Sequence, residues 1–139
     1  MNFDTRGLKI MVVENDRTIL EIIQLRLDVA GYHSVMARTG RSAIEALSNF
    51  RPAILIVELN LPDMSGLHVL ASLNAGSDRC TVPTLLMARE LGEGDVQRAV
   101  ALGARDCVTK PFSGTDILTR VARLLGKAPP TPVRQVVRV

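Results

Sequence analysis

Acidic side chains and one lysine follow the predicted strands of this sequence at the points where those strands end. Glu14, Asn15 and Asp16 follow the first apolar run, Glu58 follows the third, and Lys110 follows the fifth. Carboxylate oxygens are ligands for a hard cation such as Mg²⁺, and a lysine ammonium can hold a transferring phosphoryl group. If parallel strands bring these residues to one edge of a sheet, the sequence predicts a magnesium or phosphoryl site.

The elements that would position these residues are short apolar runs. Because the runs contain almost no polar residues, they predict strands buried on both faces of a sheet. The five runs are Ile10 to Val13, Val35 to Ala37, Ile54 to Val57, Leu85 to Met87, and a weaker one at Cys107 and Val108.

Segments with the apolar spacing of amphipathic helices alternate with these runs. They include Ile19, Ile22, Ile23 and Leu27; Ala43, Ile44, Leu47 and Phe50; Val96, Ala99 and Val100; and Ile117, Val121, Leu124 and Leu125. Asn15 or Asp16 can cap the first helix, Gly31 can end it, and Ser113 can cap the last one. The alternation predicts an α/β domain whose parallel sheet carries helices on both faces, with ligands outside the carboxyl ends of the strands.

Composition excludes several classes of protein. The 17 basic and 14 acidic residues differ by three, and Lys127, Arg134 and Arg138 account for that excess. So few charges and 3% aromatic residues give no basic stripe or stacking platform, and we expect no nucleic-acid binding by this chain alone. No apolar run approaches the ~20 residues of a membrane helix, so we expect a cytoplasmic protein without membrane contact. Cys80 and Cys107 lack disulfide or zinc spacing and are predicted to be free thiols.

Four blocks of the sequence resemble those of two-component response regulator receiver domains: LKIMVVEND, RPAILIVELNLPDMSGLHVL, VPTLLMAR and GARDCVTKPF. The LPDMSG turn and the TKPF end are the most specific. The resemblance implies the flavodoxin-like receiver fold, a doubly wound five-stranded parallel sheet in the order 2-1-3-4-5. We expect an N-terminal extension over residues 1–7, a receiver domain over 8–126, and a proline-rich basic tail or linker stub over 127–139.

The same resemblance implies a role for each residue at the strand ends. Glu14 and Asn15 occupy the acidic pair, and Glu58 stands at the position of the phosphate-accepting aspartate. Lys110 is the phosphate-binding lysine, and its peptide bond to Pro111 is expected to be cis.

Two further positions complete the comparison with similar receivers. Met87 occupies the position of the hydroxyl-bearing switch residue, and Cys107 that of the aromatic switch residue. In similar receivers, magnesium is held by the second acid of the pair, the acceptor aspartate and a backbone carbonyl two residues after the acceptor, here that of Asn60.

Departures from the family pattern remove separate parts of its chemistry. Asn15 takes one charge from the magnesium site, and Glu58 carries its carboxylate one methylene further than aspartate does. Met87 has no hydroxyl, and Cys107 is too small to act as an aromatic switch. We therefore predict no cofactor, or weak Mg²⁺ binding at Glu14, Glu58 and Asn60. Glu58 is predicted to pair with Lys110 as a permanent substitute for aspartyl phosphate, and Asp16 is favoured as a helix cap over a metal ligand.

These observations predict a phosphorylation-independent receiver that acts as a protein-interaction module and is not an enzyme. The resemblance implies a histidine kinase, an output domain or another signalling protein as partner, bound through the fourth helix, fifth strand and fifth helix; a homodimer is an alternative. A residual magnesium-dependent phosphoacceptor and the regulatory half of a longer transcriptional regulator, truncated at the linker, stay open. An enzyme on this frame ranks last, because no glycine-rich phosphate loop or nucleophile elbow follows any strand.

Overall fold

The computed structural model describes residues 7–74 and 82–126. Cys80, most of the predicted N-terminal extension and the whole predicted tail lie outside the described residues. Strands and helices alternate along the described chain. They are β1 (Lys9–Val13), α1 (Arg17–Val29), β2 (His33–Ala37), α2 (Gly40–Leu47), β3 (Ile54–Glu58), α3 (Gly66–Leu73), β4 (Thr84–Ala88), α4 (Glu93–Ala101), β5 (Ala104–Thr109) and α5 (Gly114–Leu124).

The strands form one parallel sheet in the order β2-β1-β3-β4-β5. This confirms the predicted α/β class and strand order. The prediction that every strand is buried on both faces is wrong for β2 and β5, which contain exposed and half-buried residues. Both lie at the edges of the sheet, where each strand has a neighbour on one side only. Strands β3 and β4, in contrast, are buried along their whole length.

Two apolar cores lie on opposite faces of the sheet. Since successive side chains of a strand alternate between faces, Ile10 and Val12 join one core while Met11 and Val13 join the other. The first core contains Leu20, Ile23 and Leu27 of α1 and Ile117 and Val121 of α5. The second contains buried apolar residues of α2, α3 and α4. Helices therefore cover both faces, as the sequence predicts.

Helix caps fix where the chain leaves the carboxyl edge of the sheet. The side chain of Asp16 accepts a hydrogen bond from Ile19 N at the start of α1, and Ser113 does the same for Asp116 N at the start of α5. Gly31 follows the end of α1 with a φ of 92°, a conformation that favours glycine. The caps predicted for these two helices are thus confirmed, with Asp16 rather than Asn15 capping α1.

Two parts of the predicted helical pattern are wrong. Helix α2 ends at Leu47 and Ser48 caps it, so Phe50 lies beyond the helix. In α4 only Ala99 is buried, whereas Val96 and Val100 are exposed. The buried face of this short helix is narrow, because α4 packs against β5, which is an edge strand of the sheet.

None of the helices formed by the described residues is both long enough and apolar enough to cross a membrane.

Candidate functional site

The carboxyl ends of β1, β3 and β5 meet at one edge of the sheet and bring Glu14, Glu58 and Lys110 together. Backbone hydrogen bonds hold each strand end in place: Glu14 N donates to Ala37 O at 3.0 Å, and Lys110 N donates to Ala88 O at 2.8 Å. Parallel pairing therefore positions three residues that are far apart in sequence.

Lys110 lies between the two glutamates. Its Nζ is 2.6 Å from Glu14 Oε1 and also forms an ion pair with Glu58 Oε1. The side chains of Glu14, Glu58 and Lys110 are only 2%, 6% and 10% exposed. We call these three residues the buried ion cluster. Its formal charge is −1, because two carboxylates share one ammonium.

The other carboxylate oxygens are bound by backbone amides. Asp16 N donates to Glu14 Oε2 at 2.9 Å, and Asn60 N donates to Glu58 Oε2 at 2.8 Å. Glu14 Oε1 accepts no hydrogen bond of standard geometry among the described residues, so its partner is the Lys110 charge. Burial alone would lower the pKa of Lys110, but Glu14 and Glu58 outweigh it and hold that pKa above its ordinary value.

The turn after β3 holds the Glu58 backbone. Gly66 N donates to Leu59 O at 2.7 Å, and Asn60 pairs with Ser65 in an isolated bridge. A Cβ atom on Gly66 would collide with the Glu58 carbonyl oxygen, so this close approach requires glycine. The LPDMSG turn thus packs against the backbone that carries the Glu58 carboxylate.

Asn15 is engaged outside the buried ion cluster. Its side-chain amide donates to Arg38 O at 3.3 Å, and Arg38 Nη2 donates to the Asn15 carbonyl at 2.9 Å. Both contacts are exposed. Asp16 is used as the cap of α1. Neither residue joins Glu14 and Glu58 around Lys110.

The buried ion cluster lines a shallow cavity of about 200 Å³. The lining residues are Glu14, Asn15, Asp16, Glu58, Asn60, Arg89 and Lys110. Magnesium prefers six oxygen ligands in a nearly octahedral arrangement. In this cavity both glutamates are already bound by an ammonium and by backbone amides, and the side chain that replaces the second acid is an amide. The donor set therefore offers magnesium two carboxylates where a site with both acids of the pair would offer three, and residues 7–74 and 82–126 contain no metal-binding cluster of three or more His, Cys, Asp or Glu side chains.

The two predicted switch positions lie on opposite faces of the sheet. Met87 is fully buried in the core that contains α1 and α5. Cys107 is half-buried and packs against the core on the other face. Burial raises the pKa of the Cys107 thiol, with a further contribution from Asp106, so the thiolate is disfavoured. The described structure brings neither a hydroxyl nor an aromatic ring to these two positions.

Sequence reasoning gave no role to three residues near this edge. Arg38 follows β2 and contacts Asn15, and Arg89 follows β4 and lines the cavity. Asp63 accepts hydrogen bonds from Gly40 N and Arg41 N at 2.8 and 2.9 Å, which lowers its pKa and ties the turn after β3 to the start of α2. The strand-end rule already places Arg89 at this edge, because Arg89 follows the fourth apolar run, and the same rule could have found Arg38. Asp63 carries no such signal, because its partners are backbone amides.

The peptide bond between Lys110 and Pro111 is cis, the form implied by the resemblance.

Comparison with known proteins identifies a family. A family model described as a response regulator receiver domain matches residues 10–122. The chain is 34% identical over 112 residues to the transcriptional regulatory protein KdpE of Mycobacterium tuberculosis, covering 81% of this chain and 48% of KdpE. It is 32% identical over 122 residues to the DNA-binding response regulator MtrA of Mycolicibacterium smegmatis, covering 87% and 52%. The chain thus spans about half the length of these curated relatives.

Solved structures agree in fold. A CheY-like receiver domain protein from Methanospirillum hungatei superposes with a TM-score of 0.79 at 21% identity, covering 85% of this chain and 93% of that one. The signal receiver domain of a histidine kinase from Syntrophus aciditrophicus superposes with a TM-score of 0.76 at 31% identity, covering 91% and 96%. The first likeness concerns the fold alone.

Proposed function

The chain belongs to the response regulator receiver domain family, and from this premise we propose that it is a receiver that signals without a phosphorylation cycle. Its homologues include transcriptional regulators of two-component systems. What distinguishes this receiver is the chemistry at the carboxyl edge of its sheet. We propose that Glu58, paired with Lys110, takes the place that an aspartyl phosphate would occupy.

The observation that carries this proposal is the buried ion cluster. Lys110 would have to leave two buried carboxylates to bind an incoming phosphoryl group. That exchange would leave Glu14 and Glu58 close together without their shared cation, and an unpaired buried charge is costly. The pair already holds the loop after β5 against the end of β3, which is the contact that a lysine and a phosphoryl group would make.

Three substitutions weaken phosphoryl transfer further. Glu58 is one methylene longer than aspartate, and a misplacement of about 1 Å can cost roughly 10²-fold in a positioned reaction. Asn15 lowers the charge available to magnesium, so we expect weak metal affinity at Glu14, Glu58 and the Asn60 carbonyl. Met87 cannot donate a hydrogen bond to a phosphoryl oxygen. The proposed receiver is therefore a binding module and not an enzyme.

Protein partners follow from this proposal. We propose a histidine kinase, an output domain or another signalling protein in the cytoplasm, bound on the face formed by α4, β5 and α5. Val96 and Val100 are exposed on α4 of this face. On the same face, Arg120 of α5 forms an ion pair with Asp106 of β5. Exposed apolar residues bordered by charges are typical of protein-binding surfaces. A homodimer through this face is the alternative arrangement.

Phosphate incorporation tests the proposal directly. The protein is incubated with acetyl phosphate, with and without Mg²⁺, and its intact mass is followed over time. We expect no added phosphate in the wild type, because Glu58 is misplaced and Lys110 is occupied. The double variant Glu58→Asp with Asn15→Asp serves as the matched control, since it restores both carboxylates at the family spacing. We expect it to gain phosphate only with Mg²⁺.

Phosphate on the wild-type protein that disappears in Glu58→Gln would overturn the proposal. That result would favour the rival function, a residual magnesium-dependent phosphoacceptor. The observation that favours this rival is the cavity itself, which keeps Glu14, Glu58 and Lys110 together beside exposed Asn60.

A second candidate concerns the longer protein. The relatives KdpE and MtrA are named as transcriptional and DNA-binding regulators, and this chain spans about half of each. We propose as an alternative that the domain is the regulatory half of such a regulator, with residues 127–139 leading to an output domain. Sequencing the gene beyond the codon for Val139 tests this, and a stop codon at that point would contradict it.

A further inference from the structure

The solvent side of α1 carries a row of exposed apolar residues. Ile22, Leu25 and Val29 are 46%, 62% and 78% exposed among the described residues. Their spacing of three and four residues places them on one face of the helix. We call them the α1 stripe. At Ile22 the stripe runs into a groove of about 390 Å³, whose lining residues are Ile19, Ile22, Arg89, Lys110, Pro111 and Phe112.

Charge is unevenly placed along the α1 stripe. Glu21 and Asp28 are exposed and lie four residues before and three residues after Leu25, so they form an acidic border. Arg26 lies toward α5, where its side chain packs over Gly114. A segment that covers the stripe should therefore be apolar and should carry positive charge.

The chain itself contains such a segment. Residues 127–139 read KAPPTPVRQVVRV, with four valines, three basic residues and no acidic residue. This segment supplies the whole net positive charge of the protein. Its composition is complementary to the α1 stripe and its acidic border.

The segment also begins at the right place. Helices α1 and α5 pack on the same face of the sheet, and Leu124 and Leu125 at the end of α5 join the same core as Ala30 at the end of α1. An extended chain of the length of segment 127–139 spans about 40 Å. Helix α1 is about 20 Å long. The segment can therefore run from Val29 along the stripe to the groove.

We propose that segment 127–139 docks on the α1 stripe of its own chain, with its valines toward the stripe and its basic residues toward Glu21 and Asp28. The covalent link gives an effective concentration on the order of millimolar, so even a weak contact is populated. A second copy fits this face less well. Two α1 helices packed antiparallel about a twofold axis would bring their acidic borders together. In the docked state, a partner that needs α1 must first displace the segment.

Amide chemical shifts of the chain of residues 1–139 test the docking from the segment and from the helix. In the segment, Val137→Asp places a charge on the apolar side, and Thr131→Asp adds the same charge while keeping every valine. On the helix, Leu25→Gln removes an apolar contact of the stripe. Val100→Gln on α4 is its matched control, since Val100 is 60% exposed and Leu25 is 62% exposed.

We expect Val137→Asp to shift the amide peaks of Ile22, Leu25 and Val29, and Leu25→Gln to shift those of residues 133–139. The ratio of docked to free segment should fall by about tenfold or more, because tenfold corresponds to ~1.4 kcal/mol and burial of a valine contributes at least that much. The two controls should leave these peaks in place. Shifts confined to residues adjacent in sequence to each substitution would overturn the proposal. Shifts that vanish on dilution would also overturn it, since they would indicate binding to a second copy.

Discussion

Two clusters in this protein have the same composition, two acids and one cation, but differ in burial. In the buried ion cluster, Lys110 lies between Glu14 and Glu58, and every side chain is at most 10% exposed. On β5 and α5, Arg120 lies between Asp106 and Asp116, and these side chains are 22% to 38% exposed. The contacts are similarly short, at 2.6 Å for Lys110 to Glu14 and 2.7 Å for Arg120 to Asp106.

The difference shows that contact distance alone does not determine what an ion pair contributes. Water and dissolved ions screen the Arg120 cluster, so its contribution to stability should be small. The buried ion cluster cannot be solvated when its cation is removed, so its charges depend on one another. The buried ion cluster therefore fixes the geometry of the site, while the half-buried Arg120 cluster, which water reaches, can change partners at little cost.

The largest effect is expected for Lys110→Met, which removes the shared cation and keeps a long apolar side chain. Glu14 and Glu58 would then face each other in a buried site without a positive charge. We expect a loss of about 3–5 kcal/mol in the free energy of unfolding, the range for breaking a buried pair. Urea denaturation at neutral pH measures it. A loss below about 1 kcal/mol would mean that the buried ion cluster behaves like the half-buried Arg120 cluster.

Alkaline pH should weaken the same cluster without a mutation. The pKa of Lys110 is raised above its ordinary value of 10.5, so the stability it contributes is fully present below 10.5 and is lost as pH rises through the folded-state pKa. Arg120 stays charged over this range. The difference in unfolding free energy between wild type and Lys110→Met should therefore shrink above pH 10.5. A difference that stays constant would mean that the Lys110 charge does not stabilise the site.

The smallest effect is expected for Arg120→Gln. The variant breaks both ion pairs of the half-buried Arg120 cluster, yet Asp106 and Asp116 can be solvated. We expect a loss of at most about 1 kcal/mol, and this loss should disappear at high salt. Urea denaturation at low and high salt measures it, with Lys110→Met as the comparison variant whose loss should persist in salt. A loss of several kcal/mol for Arg120→Gln would remove the contrast between the clusters.

Much of the fold was predictable because apolar runs and helical spacing report burial directly. The strands β1, β3 and β4 were placed within a residue or two, since central strands of a parallel sheet are buried on both faces. The edge strand β5 gave only a weak signal at Cys107 and Val108, because edge positions tolerate polar residues. In α4, the spacing of Val96 and Val100 indicated burial that the fold does not provide. Amphipathic spacing does not reveal how wide a packing face is.

The site was predictable to the extent that it follows strand ends. Glu14, Glu58 and Lys110 were expected at one edge, and the pairing of Glu58 with Lys110 was expected from charge. That Lys110 also binds Glu14, and that Asp16 N and Asn60 N bind the remaining oxygens, depends on backbone positions that carry no sequence signal. The contacts of Arg38 with Asn15, and of Asp63 with the start of α2, also involve backbone atoms and likewise carry no sequence signal.

The sequence by itself determined the alternation of strands and helices, the family, and the loss of the hydroxyl at Met87 and of the acid at Asn15. These properties depend on residue types and spacing, which the sequence states directly. Only the tertiary structure decided that one lysine is shared by two buried carboxylates, that Met87 and Cys107 lie on opposite faces of the sheet, and that the α1 stripe is exposed. The physical reason is that burial and hydrogen bonding depend on which backbone lies opposite each side chain, and packing sets that relation between residues far apart in the chain.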